Sequence, residues 1–394
     1  MITDTPAAHH ATAPHRIERI DSLRAIAMLA VIAQHAHLLP FGWMGVWLFY
    51  VISGFVVTTS LIARAETGHR RGDTLAFYAR RGARILPIYY VYIVAGLLVS
   101  SLWLGRADWQ PFVSMLFMYN NFADAFGNGF YAHWPAGHLW TISVEWQFYL
   151  IYGLLFIWAP RAWVIAGGFL VLIADPILRV IAGAILLRHQ PPLDAAFSIY
   201  SFSLLHFDAF AIGALIALFR DRLTGRHGLI AGAAALALLA IYLLVYAMID
   251  RAHGARGIDV LRNLVSGILI GQGREGPLYS IIDLLAASGL LVALDERIGL
   301  PLVGGRRLQY VGRISYGGYV YHQLMLTLVI TLVPPAGFGG PGTATRVAYD
   351  VATFLGCTAL TIAAASASYH WLERPAMRRI GAAVDSALHR GGPP

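Results

Sequence analysis

Apolar segments of membrane-spanning length dominate the sequence. A transmembrane helix needs about 20 predominantly apolar residues, and hydrophobic residues make up 58% of the 394 positions. Charged residues make up 13%, whereas a soluble domain carries about 25%. The sequence therefore predicts an all-α polytopic membrane bundle of about ten transmembrane helices. The predicted spans cover approximately residues 22–39, 43–63, 86–104, 140–159, 162–185, 203–219, 228–248, 278–294, 311–333 and 345–369.

The segments outside these spans are too short for a sizeable soluble domain. We expect a disordered tail over residues 1–19, a transmembrane domain over 20–372 and a second tail over 373–394. Residues 258–271 form a weaker apolar stretch, which is either an eleventh span or a re-entrant piece. The single cysteine, Cys357, excludes an intrachain disulfide and a thiolate metal cluster, and we predict no metal site.

The distribution of positive charge predicts how the chain is oriented. All 29 basic residues are arginines, and most fall in segments that share a side of the membrane with the N-terminus. Because cytoplasmic loops are enriched in positive residues, we place both termini in the cytoplasm and the protein in a bacterial inner membrane. This pattern explains the net charge of +8 without a nucleic-acid partner. The most basic region, residues 74–90, is predicted to be an amphipathic helix lying on the inner membrane surface.

The first predicted span carries two ionisable residues. Arg24 and His35 are eleven positions apart, which is three helical turns, so both should face the same way about 16 Å apart along the axis. Taken singly, Arg24 could snorkel to the interface and His35 could be a packing residue. Together on one face they favour a functional site, because ionisable residues inside a membrane usually mark one.

A carboxylate lies near the outer end of the fourth predicted span, in the aromatic segment HLWTISVEWQFYL. Glu145 would be costly there without a partner, and His35 is expected at the same membrane level. A carboxylate can hold an imidazole in the tautomer that a general base requires. We therefore predict His35 as a general base and Glu145 as the group that orients it. The alternative is a structural hydrogen bond from Glu145 to an arginine or a tyrosine.

Arginines near the inner surface form a candidate phosphate site. We assign phosphate binding to Arg24, Arg80, Arg81, Arg84 and Arg313. Charge bias alone would place some of them there, but Arg81 and Arg84 are three apart on one helical face, with Arg24 nearby. Guanidinium groups bind phosphate in a bidentate manner. A ligand with phosphates at the cytoplasmic face and a reactive end about 16 Å deeper would meet both the arginines and His35. Coenzyme A has this shape, so acyl-CoA is the predicted co-substrate, with no permanently bound cofactor.

Several other polar residues receive weaker assignments. Five are predicted to line the cavity or contact the acceptor: His138, Ser143, Asn120, Tyr316 and His322. Asp175 and Arg179, four apart, are predicted to form a structural ion pair, and Asp208 is expected to pair with a neighbouring span. Ser53–Gly54 and Gly317–Gly318 are expected to allow close approach of helices or of the pantetheine arm.

Seven motifs, in order, make the chain resemble the acyltransferase-3 family of multi-spanning membrane acyltransferases. They are RIDSLRAIAMLAVIAQHAH, LFYVISGFVV, RRGARILPIYY, HLWTISVEWQFYL, HFDAFAIGALIALF, YVGRISYGGYVYHQLML and WLERP. The resemblance covers most of the chain. It implies transfer of an acyl group, commonly acetyl, from cytoplasmic acyl-CoA to hydroxyl groups of glycans on or beyond the membrane.

The resemblance also implies roles for individual residues. Arg24 and His35 match the family's essential pair, Arg81 with Arg84 its basic motif, and Glu145 its acid in span four. Trp146 stands where many members have a second acidic residue. We see no appended esterase-like domain, which favours direct transfer to the final acceptor or to a lipid-linked precursor.

Two other classes of protein remain open from the residues alone. A transporter or flippase of a glycan or lipid precursor would have broken helices and repeated halves, and residues 258–278 are a candidate break. A non-catalytic membrane sensor would bind CoA or anionic membrane lipids through its arginines.

Overall fold

The computed structural model describes most of the chain as helix. The described residues are 18–65, 70–103, 105, 109–125, 134–257, 260, 266–268, 271–300 and 303–390. Within these ranges there is no strand, which confirms the predicted all-α class. Most of the predicted N-terminal tail and most of the weak apolar stretch at 258–271 lie outside the described residues.

Fifteen α-helices form most of the described chain. They are α1 (Glu18–His35), α2 (Met44–Ala65), α3 (Arg70–Trp103), α4 (Trp109–Leu116), α5 (Asn120–Ala125), α6 (Trp140–Trp158), α7 (Arg161–Leu186), α8 (Pro192–Ser201), α9 (Phe207–Leu218), α10 (Gly225–Ala252), α11 (Pro277–Leu294), α12 (Arg306–Arg313), α13 (Ser315–Leu332), α14 (Ala344–Ser368) and α15 (Arg374–Arg390). Short 3₁₀ turns lie at Gly137–Leu139, Ser203–Leu205 and Pro335–Gly337, and a π-helical turn at Tyr369–Glu373 joins α14 to α15.

Six helical segments are long and apolar enough to cross a membrane, so the chain is a multi-pass membrane protein. They are Met44–Ala63, Gly72–Leu102, Arg161–Leu186, Gly225–Ala252, Pro277–Leu294 and Ala344–Ala387. The predicted spans around α1, α6, α9 and α13 are helical but do not meet the same criteria of length and composition. The total of about ten spans and the cytoplasmic position of both termini therefore remain predictions.

The amphipathic helix expected on the inner surface is not a separate element. Residues 70–103 form one continuous helix of 34 residues, with Pro87 inside it. Proline is tolerated within membrane helices when neighbouring groups satisfy the freed backbone carbonyl. The first half of α3 packs against α15, where Arg80 forms an ion pair with Asp385. The segment is helical as predicted and continues into the rest of α3, and its position at the inner membrane surface remains a prediction.

Close backbone contacts fix the position of α1. A Cβ atom added to Gly45 of α2 would lie 2.4 Å from the carbonyl oxygen of Ala27. One added to Gly312 of α12 would lie 1.6 Å from the carbonyl oxygen of Asp21. No side chain fits at these distances, so α1 is held against α2 and α12 at nearly backbone-to-backbone separation.

The Ser53–Gly54 and Gly317–Gly318 pairs noted in the sequence also mark close contacts. A Cβ atom on Gly54 would lie 2.0 Å from the carbonyl oxygen of Phe210 in α9. One on Gly318 of α13 would lie 2.2 Å from the sulfur of Met28 in α1. The expected close approach of helices is therefore confirmed at both places.

A buried ion pair joins α7 to α9. The guanidinium of Arg179 lies 2.8 Å from the Asp208 carboxylate and also donates to the Leu205 carbonyl and the Ser280 hydroxyl. Asp175 instead accepts a hydrogen bond from the backbone N–H of Asp208, at 2.9 Å. The expectation that Asp208 pairs with a neighbouring helix is confirmed. The predicted ion pair between Asp175 and Arg179 within α7 is not formed, because Arg179 points across to Asp208 in α9.

We predict that Arg179→Met lowers stability by about 3–5 kcal/mol, because it leaves Asp208 buried without its counter-charge. Arg346→Met is the matched control, since Arg346 pairs with Asp350 at 2.9 Å in a partly exposed position. The control should cost about 0.3–0.5 kcal/mol. Thermal unfolding of the detergent-solubilised proteins measures the stability of both variants. Equal losses of stability would contradict the assignment of Arg179–Asp208 as the main buried ion pair.

Candidate active site

Three cavities follow one another along α1. The imidazole cavity has a volume of about 350 Å³ and is lined by His35, His138 and Thr141, among others. The central cavity, about 40 Å³, is lined by Arg24, Thr141 and Glu145, among others. The arginine cavity, about 20 Å³, is lined by Arg24 and Glu145 together with further arginines. Since each neighbouring pair shares lining residues, the three cavities adjoin one another in this order.

The shared walls come from four helices. Val46, Thr141 and Tyr319 line both the imidazole and the central cavity. Arg24, Ser53, Glu145 and Tyr316 line both the central and the arginine cavity. The helices that supply these residues are α1, α2, α6 and α13.

The structure places Arg24 and His35 on the cavity side of a single helix. Arg24 lines the two inner cavities and donates from Nε to the Ser315 hydroxyl at 3.3 Å. His35, at the last position of α1, lines the imidazole cavity. The three turns between them follow the wall of the cavity series, with a rise of about 16 Å. The geometry expected from their spacing is present, and their chemical roles remain predictions.

Three arginines converge on the arginine cavity. Arg81 and Arg84 of α3 line it together with Arg24. Arg81 also donates to the Ser60 hydroxyl at 3.3 Å, and its guanidinium lies 5.6 Å from the centre of the Tyr149 ring. The hydroxyl and ring contacts help to hold this guanidinium in place. A cavity with three cationic side chains is suited to phosphate.

Two of the predicted phosphate ligands lie elsewhere. Arg80 is turned toward α15 by its ion pair with Asp385. The guanidinium of Arg313 lies 5.5 Å from the centre of the Tyr310 ring at the end of α12. Neither residue is among those that line the arginine cavity. Their assignment to phosphate binding is therefore corrected, because competing partners draw both side chains away.

Glu145 does not lie beside His35. Its carboxylate accepts hydrogen bonds from the hydroxyls of Ser53 and Tyr149, and it lines the two cavities that contain Arg24. The prediction that Glu145 orients His35 is thus wrong, and the alternative of a hydrogen bond to a tyrosine is confirmed. The reason is helical rise. Thr141, one turn earlier in α6 and about 6 Å away, is the residue that reaches the imidazole cavity.

His35 belongs to a cluster of three imidazoles. Its ring centre lies 5.3 Å from that of His322, which lies 4.7 Å from that of His138. His138 is hydrogen-bonded through Nε2 to the Val320 carbonyl at 3.1 Å, and His322 through Nδ1 to the Tyr319 carbonyl at 2.6 Å. His138 lines the imidazole cavity as predicted. His322 lies behind His35 rather than on the wall.

The remaining predicted cavity residues divide into two groups. Tyr316 lines both inner cavities and donates to the Ile85 carbonyl at 2.9 Å. Ser143 and Asn120 are both fully buried, and the Ser143 hydroxyl donates to the Asn120 side-chain oxygen at 2.5 Å. Neither lines any of the three cavities. The predicted place of Ser143 and Asn120 on the cavity wall is corrected, because both are buried against each other between α5 and α6.

A second carboxylate near the arginines is Glu373, in the WLERP motif, to which the sequence analysis assigned no chemical role. Glu373 ends the π-helical turn after α14, is 3% exposed, and accepts from the Ser368 hydroxyl at 3.2 Å. It interacts electrostatically with Arg84 and Arg24. A Cβ atom on Gly317 would lie 2.9 Å from its Oε1 atom. The WLERP motif could have indicated Glu373 as a functional residue, but only the tertiary structure shows that it lies near the arginines.

The fold and the site together define a class: a multi-pass helical membrane protein in which a row of adjoining cavities has arginines at one end and a cluster of imidazoles at the other. The chain belongs to the acyltransferase-3 family, because the family model described as an acyltransferase domain matches residues 17–366. This match confirms the resemblance noted in the sequence. No solved structure matches the chain.

Relatives among characterised proteins share a limited part of the chain. The peptidoglycan O-acetyltransferase OatA of Listeria monocytogenes is 31% identical over 153 residues, covering 34% of this chain and 23% of the relative. The O-acetyltransferase OatA of Staphylococcus aureus is 30% identical over 153 residues, covering 36% of this chain and 25% of the relative. The matched region spans only about a quarter of the length of each relative.

Proposed function

We propose that the protein is a membrane O-acetyltransferase. It moves an acetyl group from cytoplasmic acetyl-CoA to a hydroxyl of an extracytoplasmic or lipid-linked glycan. The observation that carries this proposal is the row of three adjoining cavities, with three arginines at one end and His35 at the other. Membership of an acyltransferase family and the names of the two relatives support the same reaction class.

The arginine cavity binds the phosphates of the donor. Arg24, Arg81 and Arg84 supply charge-assisted, bidentate hydrogen bonds. Glu145 and Glu373 lie near the same guanidinium groups. They hold those groups in position when no phosphate is present. Acetyl-CoA enters as a co-substrate, and the proposal needs no permanently bound cofactor.

The pantetheine arm runs along α1 through the central cavity. The Arg24 and His35 positions are about 16 Å apart, so a ligand held by its phosphates brings its thioester toward the imidazole. Val46, Thr141 and Tyr319 form the passage between the central and the imidazole cavity. Thr141 donates to the Tyr319 hydroxyl at 2.8 Å. These hydroxyls lie where the thioester carbonyl would need a hydrogen-bond donor.

His35 acts as the general base on the acceptor. It takes the proton of the acceptor hydroxyl while the oxygen bonds to the thioester carbonyl carbon. The tetrahedral intermediate then expels the thiolate, and the C–S bond breaks. The proton held by His35 passes to the sulfur, so the products are the acetyl ester and free CoA. General base catalysis of this kind contributes about 10²–10⁴-fold to the rate.

The imidazole cavity suits a sugar acceptor. Its walls combine aromatic rings with side-chain amides, a mixture that can stack on a sugar ring and bind its hydroxyls. These residues are Trp43, Trp140, Phe197, Tyr200, Gln34 and Gln323. The named substrate of the Listeria relative is peptidoglycan, so cell-envelope glycans are the acceptors to test first.

We predict that His35→Asn lowers acetyl transfer by about 100-fold or more, because it removes the general base. The assay follows radiolabelled acetyl-CoA into isolated envelope glycans with membranes that contain equal amounts of protein. His37→Asn is the matched control, since His37 is exposed and does not line the cavity. Asparagine also tolerates the positive φ of 61° found there.

Two results of that assay would contradict the proposal. One is wild-type incorporation by His35→Asn. The other is movement of glycan across the membrane without incorporation of label, which would indicate a transporter.

We predict that Arg84→Ala raises the KM for acetyl-CoA about 10–100-fold, the equivalent of losing a charge-assisted hydrogen bond worth about 1.5–3 kcal/mol. Arg80→Ala should leave the KM nearly unchanged, because Arg80 pairs with Asp385 outside the cavity. Initial rates over a range of donor concentrations measure both variants. Similar KM values for the two would argue against a phosphate site in the arginine cavity.

We predict that Val46→Phe blocks the passage between donor and base. Val46 and Val57 are both buried residues of α2, but only Val46 lines the passage. Overpacking costs about 1–3 kcal/mol at either position, so Val57→Phe controls for stability. At equal amounts of folded protein, Val46→Phe should bind acetyl-CoA and fail to transfer acetyl. Transfer at the rate of the control would mean that the donor takes another route.

A further inference from the structure

His322 lies between the other two imidazoles of the cluster. Its ring centre is 5.3 Å from that of His35 and 4.7 Å from that of His138. It is 1% exposed and does not line the imidazole cavity, whereas His35 is partly exposed and does. The cluster therefore has two imidazoles on the cavity wall, His35 and His138, and a third, His322, that is buried beside both of them.

Backbone carbonyl groups fix the tautomers of the two buried rings. A carbonyl oxygen only accepts, so the Nδ1 atom of His322, 2.6 Å from the Tyr319 oxygen, must carry a hydrogen. The same argument places a hydrogen on Nε2 of His138, 3.1 Å from the Val320 oxygen. In the neutral ring the other nitrogen is then an acceptor.

The acceptor nitrogens have no hydrogen-bond partner within the described part of the chain. Nε2 of His322 and Nδ1 of His138 are both buried and unsatisfied. A buried polar atom without a partner is costly and calls for an explanation. A ring N–H of His35 can supply that partner to His322, because ring centres 5.3 Å apart allow an N–H···N contact of about 3 Å after a small rotation.

We infer that His322 is the positioning residue of the general base, a role that rests on the proposed function. Nε2 of His322 accepts a hydrogen bond from His35, which holds His35 in one tautomer with its bare nitrogen toward the cavity. The same bond stabilises the imidazolium formed when His35 takes the acceptor proton. A carboxylate performs this task in the Ser-His-Asp triad. Here a neutral imidazole does so, since Glu145 lies one turn too deep.

The open hydrogen bond between His35 and His322 is consistent with this role. Catalytic hydrogen bonds are often long before substrate binds and tighten in the complex. Entry of the donor and the acceptor into the imidazole cavity would press His35 toward the ring behind it. Gln34 and Gln323 also face this cavity, but a primary amide can bond either tautomer and so does not select one.

Two substitutions of His322 separate positioning from packing. Asn places an amide at the Nδ1 position and keeps the bond to the Tyr319 carbonyl, but it has no acceptor at the Nε2 position. Gln reaches the Nε2 position with its amide oxygen and gives up the Tyr319 bond. We predict that His322→Asn lowers kcat about 100-fold or more and that His322→Gln retains about tenfold more activity than Asn. The KM for acetyl-CoA should stay within about threefold for both, because the phosphates bind elsewhere.

His206→Phe is the matched control for removing a buried imidazole. His206 is 0% exposed, its Nε2 atom is 2.8 Å from the Ile199 carbonyl, and it lies among aromatic rings outside the cavity series. This variant should lose stability and keep its kcat. If kcat for His322→Asn matches or exceeds that of His322→Gln, the bond to Tyr319 is what matters and the inference fails.

A spectroscopic measurement tests the tautomer without relying on turnover. Solid-state NMR of ¹⁵N-histidine-labelled protein in liposomes with CoA and the acceptor glycan present resolves protonated from bare ring nitrogens, and comparison with His35→Asn assigns the His35 signals. We expect one tautomer of His35 in the wild type and in His322→Gln, and a mixture in His322→Asn. A single unchanged tautomer in all three would overturn the positioning role.

The two proposals fail in distinguishable ways. If His35→Asn transfers acetyl at the wild-type rate, the proposed base is wrong. If His35→Asn is inactive while His322→Asn has wild-type kcat and a single His35 tautomer, the proposed function stands and only the role of His322 is lost.

Discussion

The rest of the site depends on the rigidity of α1 and on its contact with α2 and α12. Glycines at positions 45 and 312 bring those helices against its backbone, so α1 has little freedom to slide or rotate. Its continuous hydrogen bonding from Glu18 to His35 sets the distance between the arginine and the imidazole cavities. A flexible segment would not hold two ends of a long ligand in register, because productive geometry is lost with displacements of about 1 Å.

The charged groups in and near the site have local partners, and these partners explain which groups can bind a ligand. Arg179 and Asp208 neutralise each other away from the cavities, at 0% and 2% side-chain exposure. Around the arginine cavity the carboxylates of Glu145 and Glu373 are held by the hydroxyls of Ser53, Tyr149 and Ser368. Three arginines facing two carboxylates leave a net positive cavity. A net positive cavity favours an anionic ligand, whereas the buried Arg179–Asp208 pair is already neutralised.

Sequence patterns predicted the helical class, the shared face of Arg24 and His35, and the close contacts at Gly54 and Gly318. All of these are local properties, because helical periodicity and the absence of a side chain act within one or two turns. The patterns also indicated Arg81 and Arg84, which are neighbours on one helix. The errors concern contacts between helices. Spacing alone could not show that Arg84 lines the cavity and Arg80 does not, because the ion-pair partner of Arg80 is more than 300 positions away.

The partners of Glu145 and His35 show the same limit. Both were expected at one membrane level, but they lie about one helical turn apart in depth. Glu145 therefore accepts hydrogen bonds from Ser53 and Tyr149, and the ring nearest to His35 is that of His322. By itself the sequence determined that the chain is a helical membrane protein of the acyltransferase-3 family, with an arginine and a histidine on one face of its first helix. The tertiary structure alone decided which groups touch them, because side chains remote in the chain meet only through the depth and rotation at which their helices pack.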